Sequence, residues 1–545
     1  MSTTTSLINF KFGGIRRKDS VFSDEKITCS DCQNVELFFT KLNSGIGIRT
    51  ANGNKSITQY LDNNDELQDA VPDGEEVVGI FETIQDGVSY FIVYTESETK
   101  GRIYSFNLLT KALTLIVDNL SVTGNACGTD FAQGWLDIFV FSNGVDVKYI
   151  YTDTETHEAL IVEDAENIHL EDPDGRDVSG LGLVIFDDRL WIFNGKVLWY
   201  SKKAECRDFS YVDPDAVTSA GYIEFVKPIT AIYPYLGSLA VFHKDSSCLV
   251  TVDKTTGFKQ EDESPGGCAG YNSLVFHGTD LYFYDDTKKG VFSFKQIVNG
   301  DKTLGDNIAY DIQDELLLIK ENKLNKIRSL SVVTSDRNEV WFLIPIDDTY
   351  EVEVYNEETE EYDTVTKQAS NILIFDYIRG EWIKRKCQRI NAIGIYEGTL
   401  YSGGTSIYEE YSGETFNGDF IESYYTCTVF NLGSDNTLKI TKLPPRATLD
   451  NERRCNFWVR YVKNYNTLKS VKEKEVKGKT ESSIARYDST YHYDEGWIYS
   501  TSTNTILKFP SSTFKALEIT LFTKKKGDTF ALKALEFSRL KVKQV

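Results

Sequence analysis

The sequence predicts an all-β chain, a β-propeller of about six or seven blades followed by a C-terminal β-sandwich-like domain. Three observations predict it. Aromatic residues make up 13% of the 545 residues, with 31 Tyr and 32 Phe, and these residue types suit pleated, half-buried surfaces. A unit of two short apolar runs joined by a turn recurs along the chain, most copies being separated by roughly 40 to 60 residues, about the length of a four-stranded blade. The chain carries 38 Gly against 10 Pro, a balance that supplies many tight turns without a disordered tract.

The length exceeds one ordinary core, so more than one domain is expected. Residues 1–74 contain the short strands LINFKF, NVELFFTK and GIGIRT and are assigned to an N-terminal arm with strands that close the propeller. Residues 75–415 are assigned to the propeller. Its strand pairs start near Ser89, Leu136, Arg189, Gly237, Thr279, Asn338, Asn371 and Gly398. Asn194-Gly195 lies between Trp191-Ile192-Phe193 and Val197-Leu198-Trp199, a short-range hairpin signal. Asn143-Gly144 follows Phe139-Val140-Phe141 in the same way. Alternation within these runs is imperfect, as expected where both faces of an inner strand are covered by neighbouring blades. A stack of β-sandwiches is the structural rival, and the repeated two-strand unit favours the propeller. Trp191, Phe193, Trp199, Phe139, Phe141, Phe283 and Trp341 are predicted to be core. Residues 306–329 place Ile312, Leu316, Leu317, Ile319, Leu324 and Ile327 at mixed helical spacing, which predicts one or two short helices inserted between blades, with Asp306 or Asp311 able to cap the start. From residue 416 the strands read longer, and residues 416–545 are assigned to a separate basic β-domain in which Pro444-Pro445 marks a strand edge or turn.

Net charge is −23 and unevenly spread. Residues 439–545 hold 22 Lys+Arg and 11 Asp+Glu, a local +11, which leaves −34 on residues 1–438. An acidic body repels DNA phosphates. It reads as a solvated surface or as the wall of a lumen through which DNA slides. The basic tail suits binding to nucleic acid or to an acidic partner subunit, and docking to a subunit is favoured because its charges are interspersed with Tyr and Thr strands. The N-terminal MSTTTSLINFKFGG lacks a basic run followed by an apolar one, so no export signal is expected. With no run of about 18 apolar residues, no membrane insertion is expected either. Nine Cys at irregular spacing are read as reduced and mostly buried, as in a bacterial cytosol.

The sequence predicts no enzyme, no catalytic, cofactor-binding or metal-ligating residues, and no cofactor. Asn54-Lys55-Ser56 lacks the glycine that must precede the lysine of a phosphate-binding loop, and no G-x-S-x-G elbow occurs. The five His (157, 169, 243, 277 and 492) are scattered. Cys29-Ser30-Asp31-Cys32 is a C-x-x-C without a second ligand pair at matching spacing, so two structural cysteines are the leading reading and metal or disulfide chemistry the other. Asp172-Pro173-Asp174-Gly175-Arg176-Asp177 resembles a calcium loop, yet its glycine is misplaced and no Glu closes it; it reads as a solvated loop or an adventitious cation site. Ser335-Asp336 before Trp341 lacks the glycine of the sialidase turn and does not recur. Trp135 and Trp497 are candidates for sugar-stacking positions, and blade-core packing explains Trp135 equally well.

Segment 189–212, RLWIFNGKVLWYSKKAECRDFSYV, resembles a recurring stretch of phage tail propellers. Segment 219–246, SAGYIEFVKPITAIYPYLGSLAVFHKDS, is similar to the link and strand that follow it there. DNIAYDIQDEL (306–316) resembles an inter-blade helix, NILIFDYIRGEWIKR (371–385) a late-blade strand, and GGIRRKDSVF and GIGIRT an N-terminal arm. The family is the tail nozzle, tail hub or packaged-DNA stabilisation protein of short-tailed bacteriophages. The resemblance covers residues 10–415 in style, and residues 416–545 least. It implies a structural subunit that self-associates into a ring, commonly hexameric, below the portal and adaptor. Such a ring extends the DNA channel, helps retain the genome, and lets double-stranded DNA pass without sequence specificity. It also implies other tail proteins as partners, the virion tail as location, and synthesis in the bacterial host cytoplasm. The alternative function is a carbohydrate- or receptor-binding propeller; a glycan-cleaving enzyme is the third.

Overall fold

The computed structural model describes residues 5–10, 12–15, 29–39, 46–61, 67–152, 160–164, 178–209, 218–253, 257–299, 304–335, 337–356, 361–427, 430–431, 436–440, 446–449, 456–463, 472–477, 504–506, 513–514 and 516–544. Six small antiparallel sheets and the first four strands of a ten-stranded sheet form the seven blades of a propeller. Blade 1 is Glu76–Gln85, Val88–Glu96, Gly101–Asn107 and Ala112–Leu120. Blade 2 is Cys127–Gln133, Leu136–Ser142, Val147–Tyr151 and Ile161–Asp164. Blade 3 is Leu181–Phe186, Arg189–Asn194, Val197–Tyr200 and Gly221–Glu224, and blade 4 is Ala231–Tyr235, Ser238–Phe242, Ser246–Asp253 and Gly257–Gln260. Blade 5 has three strands, Leu274–His277, Asp280–Asp285 and Gly290–Ser293, followed by the helix Phe294–Asn299. Blade 6 is Arg328–Val333, Asn338–Asn356, Glu361–Asp376 and Glu381–Gln388. Blade 7 is Ala392–Tyr396, Thr399–Gly403 and Ile407–Glu410, and its outermost strand is Asn54–Ser56 from the other end of the chain.

Apolar cores lie between successive blades. Ile92, Tyr94, Phe139 and Phe141 join blades 1 and 2; Ile192 and Trp199 face blade 2; Trp191, Phe193 and Leu198 face blade 4. Phe91 and Val93 pack on Tyr396 and Tyr401, closing the circle between blades 1 and 7. All seven aromatics expected in the core are buried, with Trp191 and Trp341 at 0% exposure. The covered faces explain the near-continuous apolar runs. Inner strands crowd the axis, and glycine makes this possible. A Cβ on Gly182 would stand 2.4 Å from the Phe193 ring, and one on Gly394 2.6 Å from Ile80.

The turns show a regularity finer than the strand pairs. In six blades the first and second strands are joined by two residues: Asp86-Gly87, Gly134-Trp135, Asp187-Asp188, Leu236-Gly237, Gly278-Thr279 and Glu397-Gly398. The first residue of each pair has φ between 47° and 65°, the conformation that matches strand twist in tight hairpins. At Asn194-Gly195 the register pairs Asn194 with Val197, so the loop is Gly195-Lys196 and Gly195 takes the positive φ of 58°.

The inserted segment between blades 5 and 6 forms three short turns, Tyr310–Ile312, Gln313–Leu316 and Glu321–Lys326. Ile312, Leu316, Ile319 and Ile327 are buried, whereas Leu317 is exposed, because tight 3₁₀ turns break a single helical stripe.

Beyond blade 6 the sheet continues outward. Glu381–Gln388 is joined in parallel, at Gln33 and Lys384, to Cys29–Gln33, which is followed by Tyr424–Cys427, Ala516–Phe522, Asn456–Lys463 and Lys472–Lys477. A second sheet pairs Thr5–Phe10, Ile46–Thr50, Asn436–Ile440 and Arg446–Leu449 with the long Ala531–Gln544, and Val35–Phe39 with Ile46–Thr50. The strands before residue 51 therefore pair with C-terminal strands, while Asn54–Ser56 completes the propeller; residues 1–74 are divided between the two. Pro444-Pro445 lies outside the described residues.

A buried ionic network holds this junction. Arg385 in blade 6 and Glu410 in blade 7 meet at 2.5 Å with side-chain exposures of 2% and 0%. Arg385 also donates to the Asn52 carbonyl at 2.8 Å. Glu410 accepts from Asn54 Nδ2 at 2.9 Å and from Ser402 Oγ. No helix among the described residues is long and apolar enough to cross a membrane.

Candidate functional site

Each blade's innermost strand starts on one face of the propeller, where the links between blades lie, and ends on the opposite face at the first hairpin turn. The axis between these faces is nearly filled. A cavity of about 400 Å³ is lined by Gly79, Phe81, Gly128, Asn272, Leu330 and Ile393 among others. Tyr271, from the link between blades 4 and 5, reaches across it and donates to the Leu183 carbonyl at 3.4 Å. Arg328 donates to the carbonyls of Asn325 at 2.7 Å, Ile327 at 3.1 Å and Gly124. Burial lowers the Arg328 pKa to about 10, against the pull of Glu96. The cavity has room for molecules the size of water. It is too small for a DNA duplex, whose major groove alone is about 12 Å wide.

A second cavity of about 350 Å³ opens on the link face beside Arg328. Several of its charges are paired: Arg389 with Glu76 at 3.1 Å, Asp347 with Lys320 at 3.1 Å and with Lys323, and Asp348 with Lys386 at 2.8 Å, while Lys326 on its rim is exposed.

The turn face is different. A depression of about 540 Å³ is lined by Ile84, Asp130, Phe131, Asp137, Ile185 and Asp188. Burial raises the Asp130 pKa, the Thr83 hydroxyl at 2.6 Å opposes the rise, and Asp137 and Glu82 add to it. Trp135, two residues before Asp137, is 99% exposed. The core-packing reading of Trp135 is therefore corrected: it sits at the tip of a two-residue turn, beyond the strand pair whose inner residues are covered. Trp135→Ala should change stability by less than about 0.5 kcal/mol, measured by urea unfolding.

The motif positions resolve as follows. Asn54-Lys55-Ser56 is a strand of blade 7. Cys29 and Cys32 are buried on one face of their strand, opposite Cys427 and Tyr425, because a bulge between Cys29 and Asp31 shifts the alternation. Burial pushes the Cys29 thiol well above its usual range, and Cys32 adds to this, which keeps it protonated and poorly nucleophilic. His243 bonds the Pro228 carbonyl at 2.9 Å, and His277 bonds Ser331 Oγ at 2.9 Å and Asn338. Among the described residues, no group of three or more His, Cys, Asp or Glu is placed to hold a metal ion. His157, His169, His492, Trp497 and the 172–177 loop lie outside the described residues.

No family model matches the chain, and no curated protein matches it. Among solved structures it is similar to Kluyveromyces lactis Hsv2 at 12% identity, covering 62% of this chain and 98% of that one, with a TM-score of 0.28. It is also similar to the N-terminal domain of Nup159 at 11% identity, covering 69% and 97%, with a TM-score of 0.31. The exo-β-1,3-galactanase of Phanerochaete chrysosporium, solved with galactose, matches at 12% identity over 91% and 100%, with a TM-score of 0.25. Likenesses of this size carry no argument about activity or partner; the propeller is read from the seven blades themselves.

Proposed function

We propose that the chain is a structural ring subunit of a bacteriophage tail hub or nozzle. The observation that carries this reading is the junction at blade 6. There the propeller sheet is joined, at Gln33 and Lys384, to a second β-unit made from both ends of the chain. The resemblance over residues 10–415 supports the same reading. So does the separation of charge, −34 on residues 1–438 and +11 on residues 439–545, which lets like subunits meet head to tail. The cavity on the propeller axis, about 400 Å³, is too small for a duplex, so DNA would travel between subunits, along the axis of the ring. Light scattering followed by negative-stain imaging of the purified chain tests this, and a ring with a central channel is the expected result.

A second reading, recognition of a carbohydrate or receptor, is favoured by exposed Trp135 beside Asp130, Asp137 and Asp188. Aromatic faces stack on sugar rings, and carboxylates accept hydrogen bonds from hydroxyls. A stable monomer retained on a polysaccharide affinity gel, with retention lost in Trp135→Ala, would overturn the ring reading. Cleavage of a polysaccharide, abolished by Asp130→Asn, would establish the enzyme reading instead.

A further inference from the structure

The turn face carries large apolar side chains where tight turns ordinarily place Gly, Asn or Asp. Trp135 is 99% exposed and Leu236 79%, and Leu236 does so at a φ of 48°, a conformation that L-residues with bulky side chains avoid. Ile84 and Val88 in blade 1, Phe276 in blade 5 and Val333 in blade 6 add further exposed apolar surface at the same turns. Phe276 stacks on Tyr233 of blade 4 with ring centroids 5.8 Å apart, whereas Trp135 and Leu236 stand open to solvent at the turn tips. Local rules broken without local benefit mark a surface used elsewhere. Among the apolar tips stand Asp86, Asp137, Asp187, Asp188 and Glu397, of which Asp187 and Asp188 also face Lys203 at 3.1 and 3.7 Å.

The opposite end of the molecule carries the complement. Strand direction passes from Glu381–Gln388 through Cys29–Gln33 and Tyr424–Cys427 to Ala516–Phe522. The turn after Phe522 therefore lies at the link-face end of the outer sheet. It reads Lys524-Lys525-Lys526-Gly527-Asp528. Asp528 Oδ2 accepts from the Lys524 and Lys525 backbone N–H groups at 3.0 and 3.2 Å, and Oδ1 accepts from Asn456 at 2.9 Å. The tip is thus held in one shape. Lys524 pairs with Glu473 at 2.6 Å. Lys525 and Lys526 are exposed and pair with no described residue.

We infer that the turn face of one copy receives the Lys524–Asp528 hairpin of a second copy, with Lys525 and Lys526 against Asp137 and Asp188 and the hairpin flank against Trp135 and Leu236. This rests on the ring reading and specifies its contact. The two surfaces lie at opposite ends of the molecule, so the contact is heterologous, which is the kind that closes rings. Charge complementarity selects a second copy over a neutral or acidic partner.

The test compares the full chain with Lys525→Glu/Lys526→Glu, with Asp137→Lys/Asp188→Lys, and with all four changes together, by sedimentation across a concentration series. Circular dichroism melts confirm that each variant folds. Each charge-reversed pair should raise the concentration needed for assembly at least tenfold, and the combined variant should recover most of that loss. Rings that persist unchanged in Lys525→Glu/Lys526→Glu would overturn this contact and leave the ring reading standing. Folded single-pair variants that lose assembly without recovery in the combination would also overturn it. A wild-type chain monomeric at every concentration would remove both.

Discussion

Replacing Glu410 with alanine is expected to lower the stability of the protein by about 3–5 kcal/mol, the range for breaking a buried ion pair from one side. Arg385 would remain, 2% exposed, without its carboxylate. Its remaining contacts are carbonyls of Asn52 and Gly53 and the rings of Trp341, Tyr411 and Phe416, which do not neutralise a full charge. The loss should be read as a lower urea midpoint. Pairing the change with Arg385→Met should recover part of the loss, since removing both charges ends the uncompensated burial. Recovery stays incomplete because Asn54 Nδ2 and Ser402 Oγ also lose their acceptor. An unchanged midpoint in Glu410→Ala would mean that blade 7 does not depend on this network for closure.

Trp191→Ala is expected to cost a similar amount, about 3–5 kcal/mol, from lost burial and the cavity left behind. The indole is 0% exposed and lies between blades 3 and 4. Its ring centroid is 4.9 Å from that of Tyr200 and 4.8 Å from that of Phe258, and Nε1 donates to the Phe186 carbonyl at 2.9 Å. Truncation also leaves that carbonyl without its donor. Thermal melting checks the effect, and an unchanged melting temperature would contradict the blade assignment at this position. Trp135→Ala is the internal control: the same substitution at a 99% exposed tryptophan removes no buried surface.

The contrast between these tryptophans shows how much of the fold could be read beforehand. Trp191 sits inside an unbroken run, Leu190-Trp191-Ile192-Phe193, which signals a strand covered on both faces. Trp135 follows Gly134 and precedes Leu136, and only the register of Gln133 with Leu136 puts it in the turn; a shift of one residue would turn it inward. Asp86-Gly87 carries the hairpin dipeptide, whereas Leu236-Gly237 and Glu397-Gly398 share only its glycine, and the register decides that they are turns. The candidate site was less legible. Ile84, Asp137 and Ile185 come from three hairpins in two blades and their neighbour, and no spacing along the chain announces that they share one depression. The Lys524–Lys526 tip was visible as a basic run, but its rigidity comes from Asp528 and Asn456.

By itself, the sequence determined the all-β class, the repeating two-strand unit, the buried aromatics of the blades and the division of charge between the two parts of the chain. These follow from side-chain chemistry and short-range periodicity, which act over a few residues. Only the tertiary structure decided that Asn54–Ser56 closes blade 7, that the strands before residue 51 belong with those after residue 424, and that Trp135 and Leu236 face outward. The first two depend on pairings between residues more than 300 positions apart, such as Asn54 with Glu410, and the third on the hairpin registers of Gln133 with Leu136 and Tyr235 with Ser238. They are selected by which edges remain unpaired and which volumes remain unfilled once the local strands have formed, and that selection leaves no periodic trace in the chain.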